Sequence, residues 1–155
     1  MNIGDFCDKV EVWASDRGIY KHGTEEGQWL KAISEFGELA DGIAKKRMGE
    51  VKDAIGDIAV CLVNANALSD YPDRLDKAFG EDIKAKDKEF IIDVGECILH
   101  REYYGALCNL ISLALHFGIS FDECLELAWN EIKDRQGYMN AQGVFVKAGD
   151  NEKGV

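Results

Sequence analysis

Apolar residues recur at helical spacing along most of this chain. The pattern predicts helices over residues 4–17, 25–47, 50–68, 102–117 and 121–135. Residues 83–99 also permit a helix, although Gly95 weakens it. From about residue 136 the chain is rich in glycine, which predicts an irregular ending. The expected fold is therefore all-α: a four-to-five-helix bundle with a short irregular C-terminal tail, formed by a single domain over residues 1–155.

Residues with known positional preferences mark where these helices begin and end. Thr24 is expected to be the N-cap of the second helix, and Ser120 with Glu123 has the spacing of a capping box for the last one. Gly118 occupies the place of a C-terminal stop, and Gly49 is expected to separate the second helix from the third. The chain contains a single proline, which favours long helices over a sandwich or a barrel.

Length and composition narrow the class of protein. Of the 155 residues, 46% are hydrophobic and 30% are charged, as in ordinary globular proteins. No run of about 18 apolar residues is present and the first residues do not resemble a secretory signal, so we expect no membrane span and a cytoplasmic location. The net charge of −11 argues against nucleic acid as a partner, although divalent cations would let an acidic protein hold a phosphorylated small molecule. Five dispersed cysteines predict reduced thiols rather than a zinc site.

Two acidic stripes stand out within the predicted helices. Glu35 and Glu38 are three residues apart in the second helix, so they are neighbours on one face. Glu50, Asp53 and Asp57 fall within roughly 60° of one another around the third helix. One interpretation is that both stripes are solvated faces of amphipathic helices. However, like charges at these spacings repel, and no lysine or arginine lies on the second stripe to offset them.

The segment after Asp57 favours a metal site instead. Residues 58–68 carry no charge on any side, as expected of a buried helix, so Asp57 lies at the mouth of a buried segment. Buried carboxylates need protons, partners or metal ions. Oxygen ligands without histidine or cysteine are typical of Mg²⁺ or Mn²⁺. A di-iron site is disfavoured because the usual Glu-x-x-His element is missing.

Three stretches of the chain resemble the MazG-like, all-α nucleoside triphosphate pyrophosphohydrolases. Residues 28–40, QWLKAISEFGELA, are similar to that family's Lys-x-x-x-Glu-x-x-Glu-Leu helix. Residues 53–57, DAIGD, lie where the family has its second acidic motif. Residues 129–137, WNEIKDRQG, followed by GVFVK at 143–147, resemble the ending of phage-type and bacterial members. The stretches occur in the family's order and together span most of residues 28–147.

This resemblance implies a Mg²⁺-dependent enzyme that converts a nucleoside triphosphate and water into the monophosphate and pyrophosphate. A metal-activated or carboxylate-activated water would attack the α-phosphorus, with Glu38 nearest to that water. The residues expected to take part in catalysis are Glu35, Glu38 and Asp57. The expected metal ligands are Glu35, Glu38, Glu50, Asp53 and Asp57. The expected substrate-binding residues are Gln28, Lys31, Asn64, Asn130, Lys133 and Arg135, the cations for phosphate and the asparagines for base or sugar.

One position departs from the family's Glu-x-x-Asp motif. Three residues before Asp57 stands Ala54 rather than an acid, whereas Glu50 and Asp53 fit the motif literally. All three acids on this stripe therefore remain candidate ligands. The missing acid also keeps open a non-catalytic helical module that binds a nucleotide or a protein partner. A phosphoribosyl nucleotide as the substrate is a third alternative within the superfamily.

We also expect a homodimer or a homotetramer. Residues 58–68 are apolar on all sides and residues 107–115 nearly so, which is more than a lone small domain readily encloses. Two-fold pairing is the commonest way to bury such surface, and members of the resembled family commonly assemble from two chains. In that arrangement the glycine-rich tail would close over a neighbouring subunit's site.

Overall fold

A computed structural model describes residues 1–80 and 90–149 of the chain. The helices in these residues are α1 (Ile3–Asp16), α2 (Ile19–His22), α3 (Glu25–Ala44), α4 (Met48–Leu68), α5 (Phe90–Leu99), α6 (Tyr103–His116) and α7 (Phe121–Ile132). A 3₁₀ turn (Leu75–Lys77) lies between α4 and α5. Two short strands, β1 (Gly137–Met139) and β2 (Phe145–Lys147), follow α7. The expectation of a mostly helical, all-α protein is confirmed.

Helix α4 forms the centre of the structure. It packs against α3, α7, α6 and α1, and its residues from Ile58 to Asn66 are all buried. The prediction that this uncharged segment is a buried helix is therefore confirmed. Helices of the same chain bury this segment, so its enclosure does not by itself require a second chain, and the homo-oligomer stays a prediction. In α6, Leu107 and Leu110 are likewise fully buried, and Leu115 is exposed.

Most of the predicted helix signals have the expected geometry. The Thr24 hydroxyl accepts a hydrogen bond from Gly27 N at 3.0 Å, and the Ser120 hydroxyl accepts one from Glu123 N at 3.3 Å. Gly118 ends α6 in the left-handed region, with a φ of 66°. These residues satisfy backbone groups that a helix end leaves unpaired, so they fix where α3 and α7 begin and where α6 ends.

The boundary between α3 and α4 differs from the prediction. Helix α3 ends at Ala44 rather than near Arg47, and Gly49 lies inside the first turn of α4 rather than between the helices. Lys46 adopts a φ of 55°, and Arg47 N donates to Gly42 O at 2.9 Å. This is the hydrogen bond of a Schellman motif, in which a lysine occupies the position that usually holds glycine. A non-glycine residue at that position gives no sequence signal.

The bounds of α5, the structure of the C-terminal tail and the segment between α1 and α3 also differ from the predictions. Helix α5 begins at Phe90 and includes Gly95, whereas the earlier part of the predicted 83–99 segment lies outside the described residues. The tail is not irregular: β1 and β2 pair antiparallel, with Tyr138 opposite Val146. The four-residue helix α2 lies between the first two predicted helices and was not predicted. Among the described helices, none alone is both long and apolar enough to cross a membrane, and only the bent pair α6 and α7 passes when taken together.

Candidate active site

Carboxylates from three helices meet where α3, α4 and α7 come together. Asp53 and Asp57 of α4 and Glu131 of α7 each place a carboxylate oxygen within 4.8 Å of the other two. Glu35 and Glu38 of α3 face them, close enough to shift the pKa values of these carboxyl groups. We call these five residues the acidic cluster. Four of them were predicted, and Glu131 was not.

The helical register explains why the acidic cluster forms. Helices α3 and α4 are joined by a tight turn and pack along their length, so they run antiparallel. Glu35 then lies opposite Asp57, and Glu38 lies opposite Asp53. Gly56 allows α7 to approach α4 closely, because a Cβ atom at this position would lie 2.5 Å from Cys124 O. This close approach brings Glu131, less than two turns further along α7, beside the acids of α4.

The carboxylates of the acidic cluster have too little positive charge nearby to offset their mutual repulsion. Burial, together with the negative charges of Glu35, Glu131 and Asp53, raises the pKa of Asp57 from 3.8 to about 7. Burial and the charges of Glu131 and Glu38 also raise the pKa of Asp53. The pKa of Glu35 is raised by burial and by Glu38, against the opposing effect of Lys31 and Lys147. A bound divalent cation would remove this mutual repulsion, so the residues fit a Mg²⁺ or Mn²⁺ ion.

A pocket opens beside the acidic cluster, between α3, α4 and the β-hairpin. Glu35 and Asp57 line it, and so do three basic side chains: Lys31, Arg135 and Lys147. Arg135 forms an ion pair with Glu131, which links the wall of the pocket to the acidic cluster. Carboxylates that could bind a cation and positive groups suited to phosphate thus occur side by side.

The β-hairpin is docked as one wall of this pocket. Gly143, with a φ of 72°, packs so closely that a Cβ atom there would lie 2.5 Å from His22 O at the end of α2. The rings of Phe145 and Trp13 meet edge to face with centroids 6.0 Å apart. Arg17 anchors the segment leading into the hairpin by donating to Arg135 O at 2.9 Å. Phe145 and Lys147 therefore line the pocket of their own chain, and closure over the site of a neighbouring subunit stays a prediction.

The end of the pocket away from the acids is uncharged and lined by amides. Gln28 and Asn64 are both buried and both line it. The Tyr20 hydroxyl donates to Asn64 Oδ1 at 2.9 Å. Trp13 also lines the pocket, and its buried Nε1 has no hydrogen-bond partner within the described residues. The pocket therefore changes along its length from carboxylates and cations to amides and aromatic rings.

The structure does not bring every predicted residue into this site. Asn130 accepts a hydrogen bond from Lys133 Nζ at 2.8 Å, and Lys133 lines a separate surface groove beside Trp129. Helix geometry explains this separation, because Asn130 and Lys133 are three residues apart and share a side of α7 that differs from the side of Glu131. Asn130 and Lys133 therefore do not line the pocket described here, and their role in substrate binding stays a prediction.

Glu50 lies at the edge of the acidic cluster rather than within it. It lines a shallow groove with Glu38 and Asp53. Its Oε1 accepts a hydrogen bond from Arg47 at 3.1 Å, so a cation does offset this end of the stripe. Because Arg47 comes just before α4, the helical stripe alone did not reveal this partner.

Sequence reasoning also missed four residues of this region. Phe145 and Lys147 line the pocket, Glu131 belongs to the acidic cluster, and Tyr20 donates a hydrogen bond to Asn64. Glu131 and Lys147 belong to stretches that carry the family resemblance, but no spacing rule connects them to acids about 75 residues or more earlier. A hairpin signal was nevertheless present. Residues 143–147 contain three consecutive residues with high β-propensity, Val144, Phe145 and Val146, after a turn containing Asn140, whose Oδ1 accepts from Val144 N at 2.9 Å.

Comparison with known proteins gives one relative. Over 54 residues the chain is 43% identical to an uncharacterized 18.2 kDa protein of the rep-hol intergenic region of Haemophilus phage HP1 (strain HP1c1). This match covers 35% of the present chain and 33% of the phage protein, so the chain matches only about a third of that relative's length. The chain matches no protein-family model. No solved structure matches it.

Proposed function

We propose that this protein is a Mg²⁺-dependent nucleoside triphosphate pyrophosphohydrolase of the MazG-like, all-α type. It would convert a nucleoside triphosphate and water into the monophosphate and pyrophosphate. The observation that carries the proposal is the acidic cluster at one end of a pocket whose walls also carry Lys31, Arg135 and Lys147. Carboxylates beside cations are what a magnesium-bound triphosphate requires of a protein.

Each group in the site then has a role. Asp53, Asp57 and Glu131 supply oxygen ligands of the kind that Mg²⁺ prefers. The bound ion would neutralise the charge that develops on the phosphates during the reaction. Glu38, which neighbours the other acids from α3, is our candidate to orient and deprotonate the attacking water.

The cations of the pocket act on the substrate rather than on the water. Lys31 and Lys147 both lower the pKa of Glu35, so their ammonium groups lie near the acidic end of the pocket. There they would contact the β- and γ-phosphates that leave as pyrophosphate. Arg135, already paired with Glu131, would add a third positive charge at the same end.

The direct test is product analysis. Purified protein is incubated with each common dNTP and NTP, with Mg²⁺ or with excess EDTA, and pyrophosphate and monophosphate are quantified. We expect equal amounts of the two products, only when metal is present. Glu35→Gln and Glu38→Gln should each reduce turnover by about 10²-fold or more, whereas Glu96→Gln, at an exposed position on α5, is the matched control. If both site variants retain wild-type turnover and Mg²⁺ binding, the active site lies elsewhere.

A second candidate function is a non-catalytic module that binds a nucleotide or a protein partner with the same fold. Ala54 favours it, because this residue is buried in the core and leaves one acidic position of the resembled motif unfilled. In that case the same incubation would give no pyrophosphate with any nucleotide, while calorimetry with Mg²⁺ and a nucleoside triphosphate would still detect binding.

A further inference from the structure

The pocket has a direction that a nucleotide could follow. Asp57 and Asn64 are seven residues apart on α4, which is about 10 Å along the helix axis. Glu35 and Gln28 are separated in the same way on α3, in the opposite chain direction. If the proposed function is correct and phosphates lie at the acidic end, the nucleobase reaches the amide end. The following inference rests on that function.

The amide of Asn64 is held in one orientation. Tyr20 OH donates its only proton to Asn64 Oδ1 at 2.9 Å, so the oxygen of the amide points toward α2. Burial raises the pKa of Tyr20, which keeps this proton in place. The Asn64 Nδ2 group is then a hydrogen-bond donor, and it has no acceptor among the described residues. Because Asn64 is almost fully buried and lines the pocket, a ligand is the partner within reach.

Two other residues that line the pocket also offer donors. Trp13 Nε1 is buried without a partner in the part of the chain that the structure describes. The side chain of Gln28 is 7% exposed, lines the same end, and makes no hydrogen bond to a described residue. Its amide supplies both a donor and an acceptor. No carboxylate lines this end of the pocket, so an incoming group that accepts hydrogen bonds is favoured over one that only donates.

We propose that this amide end selects nucleobases that present a carbonyl oxygen at C4 of a pyrimidine or C6 of a purine, with Asn64 Nδ2 donating to that oxygen and Tyr20 fixing the direction of the donor. Uracil and thymine carry this oxygen at C4, and guanine carries it at C6. Cytosine and adenine carry an amino group at the same positions, which would face the donor of Asn64. Binding either of these two bases in this orientation would leave the donor unpaired, which lowers affinity by roughly tenfold or more.

Calorimetry with non-hydrolysable nucleotides tests this inference separately from catalysis. The probes are the α,β-methylene analogues of dUTP, dCTP, dGTP and dATP, each titrated into the full chain with Mg²⁺. For the wild type we expect the dUTP and dGTP analogues, which carry the carbonyl, to bind at least about tenfold more tightly than the dCTP and dATP analogues. Equal or tighter binding of the dCTP or dATP analogue would overturn the proposal, and so would an absence of binding by all four.

Two variants test the residues themselves. Asn64→Asp removes the donor and should abolish the preference or reverse it toward adenine, because a carboxylate accepts from an amino group. Tyr20→Phe leaves the amide but frees it to rotate, so the ratio of affinities should fall several-fold, while Tyr104→Phe at another hydroxyl serves as the control. If Asn64→Asp does not fold, Tyr20→Phe still decides. Unchanged ratios in the folded variants would refute the assignment.

Hydrolysis of the natural triphosphates is measured separately from binding of the analogues. Selective binding of carbonyl-bearing analogues without hydrolysis of any natural triphosphate would refute the proposed enzyme activity and leave the base site standing. Hydrolysis of dATP as efficiently as of the other triphosphates would support the proposed enzyme activity and refute the base site.

Discussion

Replacing Asp57 by asparagine is expected to make the metal-free protein more stable at pH 8. Asp57 lies at the centre of the acidic cluster, where burial and three neighbouring carboxylates disfavour its charged form. Asparagine has nearly the same shape and carries no charge. The substitution therefore removes a charge repulsion that a bound metal ion would otherwise offset.

The magnitude follows from the pKa. In the unfolded chain the carboxyl has its ordinary value of 3.8, and in the folded protein the value is about 7. At pH 8 the charged form is present in both states, and the difference corresponds to roughly 4 kcal/mol of destabilisation in the folded wild type. The folded state binds this proton more tightly, so the group's contribution to stability falls as pH rises from about 4 to about 7 and is constant above. The stabilisation by Asp57→Asn should accordingly be largest above pH 7 and nearly vanish near pH 4.

Urea unfolding in EDTA at several pH values measures this effect. We expect Asp57→Asn to raise the free energy of unfolding by a few kcal/mol at pH 8, whereas Asp70→Asn, at an exposed loop position, changes it little. Added Mg²⁺ should stabilise the wild type and not the variant, because metal binding to the folded state shifts the unfolding equilibrium. A variant no more stable than the wild type at pH 8 would refute the electrostatic reasoning.

Three further variants and one measurement of mass test other parts of the structure. Glu131→Gln should weaken Mg²⁺ binding in calorimetry by about tenfold, and Glu96→Gln should not; equal affinities would remove α7 from the metal site. Gly56→Ala places a methyl group against Cys124 O and should cost about 1–3 kcal/mol in urea unfolding, so an unchanged midpoint would contradict the close approach of α4 and α7. Lys147→Gln should raise KM several-fold with a smaller effect on kcat, and a kcat effect alone would argue against a phosphate contact. Light scattering at micromolar concentration should give a mass of two or four chains, and a value near 17.2 kDa would refute the expected oligomer.

The parts of the fold that were predictable depend on local rules. Helical periodicity places Glu35 beside Glu38 and Asp53 beside Asp57. The N-cap at Thr24 was predictable because a hydroxyl reaches only the backbone N–H groups close to it. The buried character of α4 was predictable for the same reason, since the absence of charge around a helix is visible in the sequence. Each of these inferences uses residues within a few turns of one another.

The boundary errors also have a local cause. At the junction of α3 and α4 the prediction relied on Gly49, whereas the chain turns at Lys46 in a left-handed conformation. Arg101 ends α5 in the same conformation, with a φ of 58°. A lysine or an arginine adopts this conformation only where the surrounding hydrogen bonds require it, so the residue type alone does not mark the helix end.

The rest of the site depends on long-range packing and was not predictable by counting residues. Glu131 joins Asp53 and Asp57 because Gly56 lets α7 approach α4, which relates residues about 75 positions apart. In the sequence alone, Gly56 indicates only a residue of low helix propensity within a helix. Within the structure it explains how the site acquires a third closely spaced carboxylate although Ala54 is turned into the core. The departure from the resembled acidic motif at position 54 therefore does not leave the proposed metal site short of ligands, and Glu131→Gln is the variant that separates this explanation from a site built by α3 and α4 alone.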